Sequence, residues 1–192
     1  MSKSNMGHTS GPESDQHFEV NAGDSAALHG AEKDNLWEWT ARVRVKKYEV
    51  GGSFLVELFL GSVPTDPRQW RTSPNFVGAH YVFTNSVPGR GDAEVEGFVD
   101  LNDGIAEHSG LDSLDPNAVV PYLTHNLDWR VQRAGGEPVD LASVPSLEVT
   151  VFATPLTWPP GSDFPVPGER RAHRGITAGR PGGSGGADAG SS

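Results

Sequence analysis

The sequence predicts an all-β domain, a β-sandwich of six to seven strands with two short helical insertions and disordered termini, and three observations predict it. Apolar and polar residues alternate over short runs, the period of a half-buried strand. Glycine- and proline-bearing turns separate those runs: 24 Gly and 15 Pro stand beside only 35% hydrophobic residues. Two short segments begin with an acidic residue suited to capping a helix. A chain of 192 residues is long enough for one ordinary domain with its own core.

The organising stretch is residues 36–61. Trp37, Trp39, Ala41, Val43 and Val45 fall on one side of a first strand, with Glu38, Thr40, Arg42, Arg44 and Lys46 on the other. Gly51 and Gly52 then let the chain reverse into Phe54, Val56, Leu58 and Leu60, as a hairpin would. Leu55 and Phe59 add an apolar second face, so this second strand reads as central and covered on both sides.

Residues 62–74 hold three prolines and no alternation and read as a loop, with Trp70 anchoring it to the body. A strand resumes with Val77, Ala79, Tyr81 and Phe83 on one side and Phe76, Gly78, His80 and Val82 on the other. Residues 85–92 form a turn, where Arg90-Gly91-Asp92 is ordinary turn chemistry beside Pro88 and Gly89. The next strand starts near Glu94 and places Val95, Gly97, Val99 and Leu101 on one face; Asp100 then caps a short helix through Ile105 and Glu107. Asp115-Pro116 starts a second helix, which Pro121 limits to a turn or two. Leu127, Trp129 and Val131 mark a further strand, and Leu147, Val149, Val151 and Ala153 the last clear one. The organisation is thus a disordered lead-in or linker over 1–34, a domain over 35–158, and a disordered tail over 159–192.

A formal net charge of −10 opposes binding to nucleic acid, which needs a concentrated basic surface. No run reaches the roughly 18–20 apolar residues of a membrane helix, and the residues after Met1 lack the apolar core of a signal peptide. The expectation is a cytoplasmic chain without a membrane partner. Zero cysteines exclude disulfides, thiolate metal sites and cysteine nucleophiles.

The seven histidines are His8, His17, His29, His80, His108, His125 and His173, none two, three or four residues from another. A type 3 copper pair takes three imidazoles per copper on paired helices, an arrangement this spacing does not offer. The segment from Asp100 to Gly104 fails as a calcium loop, with glycine at a ligand position and no closing glutamate. No serine sits in a nucleophile elbow, and no glycine-rich stretch carries a phosphate-loop lysine. Asp100, Asp103, Glu107 and Asp112 read as a solvated acidic face. The chain alone shows no catalytic residues and no cofactor or metal ligands.

Trp37-x-Trp39, the run from Arg44 to Tyr48, Gly51-Gly52-Ser53-Phe54, and residues 73–83, 96–103, 126–132 and 144–151 follow one another in that order. Together these stretches resemble the C-terminal β-domain of fungal tyrosinases, which are type 3 copper oxidases. The resemblance spans roughly residues 35–158 and implies a β-sandwich. It implies a shield: in such tyrosinases (monophenol monooxygenases and catechol oxidases of melanin synthesis) this domain covers the copper entrance. It inserts a side chain where the phenol would go, and keeps the enzyme latent until proteolysis. Copper would then belong to the parent enzyme, and the partner would be a tyrosinase catalytic domain, in cis or in trans. Phe83, Phe76 and Phe98 are the candidate shielding residues. Many members carry a Cys-x-x-Cys pair in the connection that here is residues 85–92; this chain has none, so a copper-delivery role does not carry over. The alternative is a free-standing β-sandwich binding module for protein or carbohydrate, for which Trp70 and Tyr122 would supply exposed aromatics.

Overall fold

In the computed structural model, residues 36–85 and 93–185 are described. The lead-in, the Arg90-Gly91-Asp92 turn and the last residues of the chain lie outside them. Strand β1 (Leu36–Lys46) follows its alternation closely, with Trp39, Ala41, Val43 and Val45 fully buried and the arginines between them only partly so. Strand β2 (Phe54–Leu60) is buried at all seven positions, as its two apolar faces predict. The two do not form a hairpin.

β1 lies between β4 (Glu94–Asp100) and β7 (Glu148–Thr157), whereas β2 lies between β3 (Phe76–Val82) and β5 (Leu127–Arg133). Both are central strands of different sheets, so the turn through Gly51, at φ 75°, carries the chain across the sandwich. The physical reason is burial. Side by side, β1 and β2 would align their apolar faces in one plane, while set in opposite layers they press them together as the core.

The first sheet runs β4-β1-β7-β8, with β9 also on β7; the second runs β3-β2-β5-β6. β6 is Pro138–Val139, β8 Val166–Pro167 and β9 Arg171–Ala172. Nine strands are therefore formed among the described residues, in two antiparallel sheets, where six or seven were expected.

Two helices close the sandwich end. In α1 (Asn102–His108) the first amide is met by the Asp100 carboxylate at 2.8 Å. Its Asn102 side chain accepts from the Trp39 N–H at 2.7 Å and donates to the Trp37 carbonyl at 2.9 Å, sewing the helix to β1. Helix α2 (Pro116–Asn126) is capped by Asp115, whose carboxylate accepts from the Asn117 N–H at 2.9 Å. It runs straight through Pro121 for eleven residues, longer than the proline suggests. Val119 and Leu123, both fully buried, hold it down, and packing of that stripe outweighs the missing hydrogen bond.

The tail expectation is also corrected. Residues 166–185 fold back as a strap: β8 and β9 pair with β7, and a 3₁₀ turn (Arg174–Ile176) buries Ile176. Thr177 donates to the Val149 carbonyl at 2.7 Å, and the Arg180 guanidinium lies 4.2 Å from the Trp129 ring centroid. Glycine and proline make up eight of the strap's twenty residues, yet these few side chains order it. No helix among the described residues is long and apolar enough to cross a membrane.

Candidate functional site

β3 is the edge of its sheet, and its outward side ends in two exposed aromatics. Val82 is buried and paired with Phe54, which fixes the backbone before Phe83. After it, the Thr84 N–H donates to Ser53 Oγ at 3.0 Å and the Tyr48 hydroxyl donates to Asn85 Oδ1 at 3.1 Å. Phe83 is thus held at both flanks while its own side chain is 74% exposed. Its ring lies 6.2 Å from that of Tyr81, nearly parallel at 11°.

Behind this pair sits a buried charge. Glu57, on the outer side of β2, is fully buried and accepts from Arg71 Nε at 3.1 Å. Burial pushes its carboxyl pKa up from the ordinary value, and Arg71 pulls it partly back. The Arg71 guanidinium in turn lies 5.4 Å from the Tyr81 ring centroid. The sequence does carry a signal for this: one carboxylate in an otherwise apolar strand demands a cation from a neighbouring element, here the loop that also holds Trp70.

The other two phenylalanines are placed differently. Phe76 is partly buried and meets Phe59 edge-on at 5.9 Å. Phe98 stands half-exposed on the outside of the opposite sheet, with the Arg170 guanidinium 4.5 Å from its ring centroid. Arg170 also lies 4.3 Å from the Phe152 ring and donates to Thr40 Oγ1 at 2.9 Å. The three therefore do not form one cluster.

His80 points inward at the seam between the sheets. A Cβ at Gly97 would stand 2.0 Å from its Nδ1, so the ring fills the space that glycine leaves, and burial pushes its pKa below the ordinary value. Trp70 is only 5% exposed, donates to the Pro64 carbonyl at 2.8 Å and meets Phe59 edge-on, so it anchors its loop as expected. Tyr122 is partly buried against the core. Neither offers the open aromatic surface that a binding module was expected to draw on.

His80 lies on β3, His108 on α1, His125 on α2 and His173 just before the 3₁₀ turn of the strap, and among the described residues no three metal-ligating side chains converge. The described donor set does not fit a type 3 copper pair. Asn102, within the segment tested as a calcium loop, spends its amide on the β1 backbone.

A sequence model of the tyrosinase C-terminal domain matches residues 38–151, more than half of the chain. The chain belongs to that family. Among curated relatives, a tyrosinase of Neurospora crassa is 33% identical over 132 residues, covering 62% of this chain and 19% of that protein. Polyphenol oxidase 2 of Agaricus bisporus is 28% identical over 138 residues, covering 68% of this chain and 23% of its own length. A solved recombinant mushroom tyrosinase is 27% identical with a TM-score of 0.55, over 72% of this chain and 24% of that one. A second, in which latent and active mushroom tyrosinase coexist in one crystal, is 26% identical with a TM-score of 0.58, over 73% and 26%. The chain spans about a fifth to a quarter of the length of these relatives, so the tyrosinase C-terminal domain occurs in them as one part of a longer oxidoreductase. The strap beyond residue 151 extends past the family match.

Proposed function

We propose that this domain shields the copper entrance of a fungal-type tyrosinase catalytic domain, in cis or in trans, and so keeps a monophenol- and catechol-oxidising enzyme of melanin synthesis latent. Copper and catalysis belong to that partner. The observation that carries the reading is Phe83: a bulky apolar ring, 74% exposed, on a backbone tied down on both sides. A plug must be apolar enough to take a phenol's place and must not lose much freedom on entering, and this ring meets both needs. Phe76 is engaged with Phe59 and Phe98 lies under Arg170, which leaves them second and third.

The test fuses the chain to the catalytic domain of a closely related tyrosinase and measures catechol oxidation. Untethered, the domain inhibits weakly; a short flexible tether supplies an effective concentration of about millimolar, and inhibition rises steeply. Phe83→Gly relieves it while the domain still melts cooperatively. A fused enzyme as active as the bare catalytic domain, with the β-domain folded, transfers the assignment to a binding module.

A further inference from the structure

Phe83 is aimed by more than its own backbone. Three side chains from three elements lie in series behind it: Glu57 on β2, Arg71 on the 3₁₀ helix Pro67–Thr72 in the connection after β2, and Tyr81 on β3. Glu57 has no access to solvent, and its Oε2 accepts no hydrogen bond from the described residues, so Arg71 is the cation that compensates it. A buried carboxylate holds such a partner far more firmly than a surface ion pair does, because letting go leaves a charge in a low-dielectric site. Arg71 therefore has one end fixed, although its side chain is 48% exposed. The fixed guanidinium lies against Tyr81, and Tyr81 stacks with Phe83.

We infer that Arg71 and Tyr81 are positioning residues for the Phe83 plug, with Glu57 as the buried anchor of the series. The inference rests on the shielding reading and adds to it. Free, a half-exposed Tyr81 and a more exposed Phe83 would each sample several rotamers, and every rotamer that points away from the copper entrance weakens a tethered competitor. Pinned through Arg71, the aromatic pair presents one arrangement. Arg71 and Tyr81 touch neither substrate nor copper in this account.

The experiment uses the full 192-residue chain fused to the catalytic domain, with apparent KM and kcat for catechol as readouts. A plug that competes with substrate raises apparent KM and leaves kcat unchanged. Tyr81→Leu is expected to lower the apparent KM of the fusion by about five- to tenfold at constant kcat, the loss appropriate to one aromatic and one cation–π contact. The double variant Glu57→Gln with Arg71→Met, neutral at both positions so that no lone carboxylate is buried, is expected to do the same, whereas Arg71→Lys keeps the ion pair and most of the inhibition. In a Phe83→Gly background Tyr81→Leu is expected to change nothing further, because its effect runs through Phe83. If the parent fusion has the KM of the bare catalytic domain, the shielding reading fails; if the fusion is inhibited but Phe83→Gly leaves its KM unchanged, the shield stands, Phe83 is not the plug and the positioning series falls with it. If Phe83→Gly relieves inhibition but Tyr81→Leu does not, or if Tyr81→Leu relieves it equally without Phe83, the shield stands and the positioning series is overturned. Tyr81 lies outside the core, so its variant decides the matter even where the double variant does not fold.

Discussion

The two edge strands β3 and β4 belong to different sheets, yet they meet along one seam and carry exposed phenylalanines on their outer sides. At the seam each accommodates the other through a glycine: a Cβ at Gly78 would stand 2.5 Å from Val99, and one at Gly97 would strike His80. On the β4 side Phe98 is roofed by Arg170 from the strap, whose guanidinium also covers Phe152. On the β3 side the ring of Phe83 stacks with Tyr81, carries no guanidinium among the described residues and stands half again more exposed. The difference teaches that exposure of an aromatic says little until its cover is known. A guanidinium over the ring face satisfies Phe98 within this chain, while Phe83 remains available to something outside it.

Removing the roof is the harshest way to break this comparison. A chain ending at Trp158 loses Arg170, the buried Ile176, the Thr177 hydrogen bond and the Arg180 cover of Trp129. The expected cost exceeds the roughly 2–5 kcal/mol of truncating one buried isoleucine, enough to abolish the cooperative melt of a marginally stable domain. A circular-dichroism melt of residues 35–158 checks it; a melt equal to that of the full chain shows the strap to be dispensable.

That strap also marks where the sequence became hard to read. β1, β2, β5 and β7 were legible because their alternation is long and their buried side is unbroken. Periodicity gives a strand's face and not its neighbours, and so β1 and β2 read as a hairpin when they are the centres of opposing sheets. In the strap no alternation exists to be read. Ile176, Thr177 and Arg180 are scattered among glycines that supply turns, Gly179 at φ 74° and Gly182 at φ 71°, and their partners lie far away in sequence. Of the candidate site, an exposed phenylalanine at the end of a strand was within reach, since Phe83 follows the outward register of Tyr81. The series behind it was not, because Arg71 reaches Glu57 only after a loop whose path the sequence does not fix.

Tightening the seam is the next largest perturbation. Gly97→Ala places a methyl group into the His80 ring, and overpacking of this kind costs roughly 1–3 kcal/mol. Pairing it with His80→Ala should recover part of the loss, since the smaller side chain vacates the space; chemical denaturation of the two single variants and the double measures the coupling. Full additivity would mean that the two strands do not meet as described.

A gentler change uncovers Phe98 alone. Arg170→Ala removes a cation shared by two rings and should cost about 0.5–1 kcal/mol, the range for an exposed cation–π contact. In the fused enzyme it should leave inhibition unchanged, because Phe83 and not Phe98 is the proposed plug. Stronger inhibition on uncovering Phe98 would reverse the ranking of the two edges.

The smallest effect separates the seam from the platform by pH. Partial burial holds the His80 imidazole below its ordinary value of 6.5, and His173, half-buried and close to Arg171, is lowered too. Above about 6.5 neither the folded nor the unfolded chain carries these charges; as pH falls below it, the unfolded chain takes up protons that the folded chain refuses. Stability therefore falls on acidification and levels off once pH is below the folded values. Glu57 works in the opposite sense. Its raised pKa means that its contribution is present below 4.5 and is lost as pH rises through the folded value, so on acidification it offsets the histidines. Melting temperatures at pH 7.5 and 5.5 should therefore differ less in His80→Gln than in the parent chain. A parent-like difference in His80→Gln would show that the seam between β3 and β4 is not where acid acts.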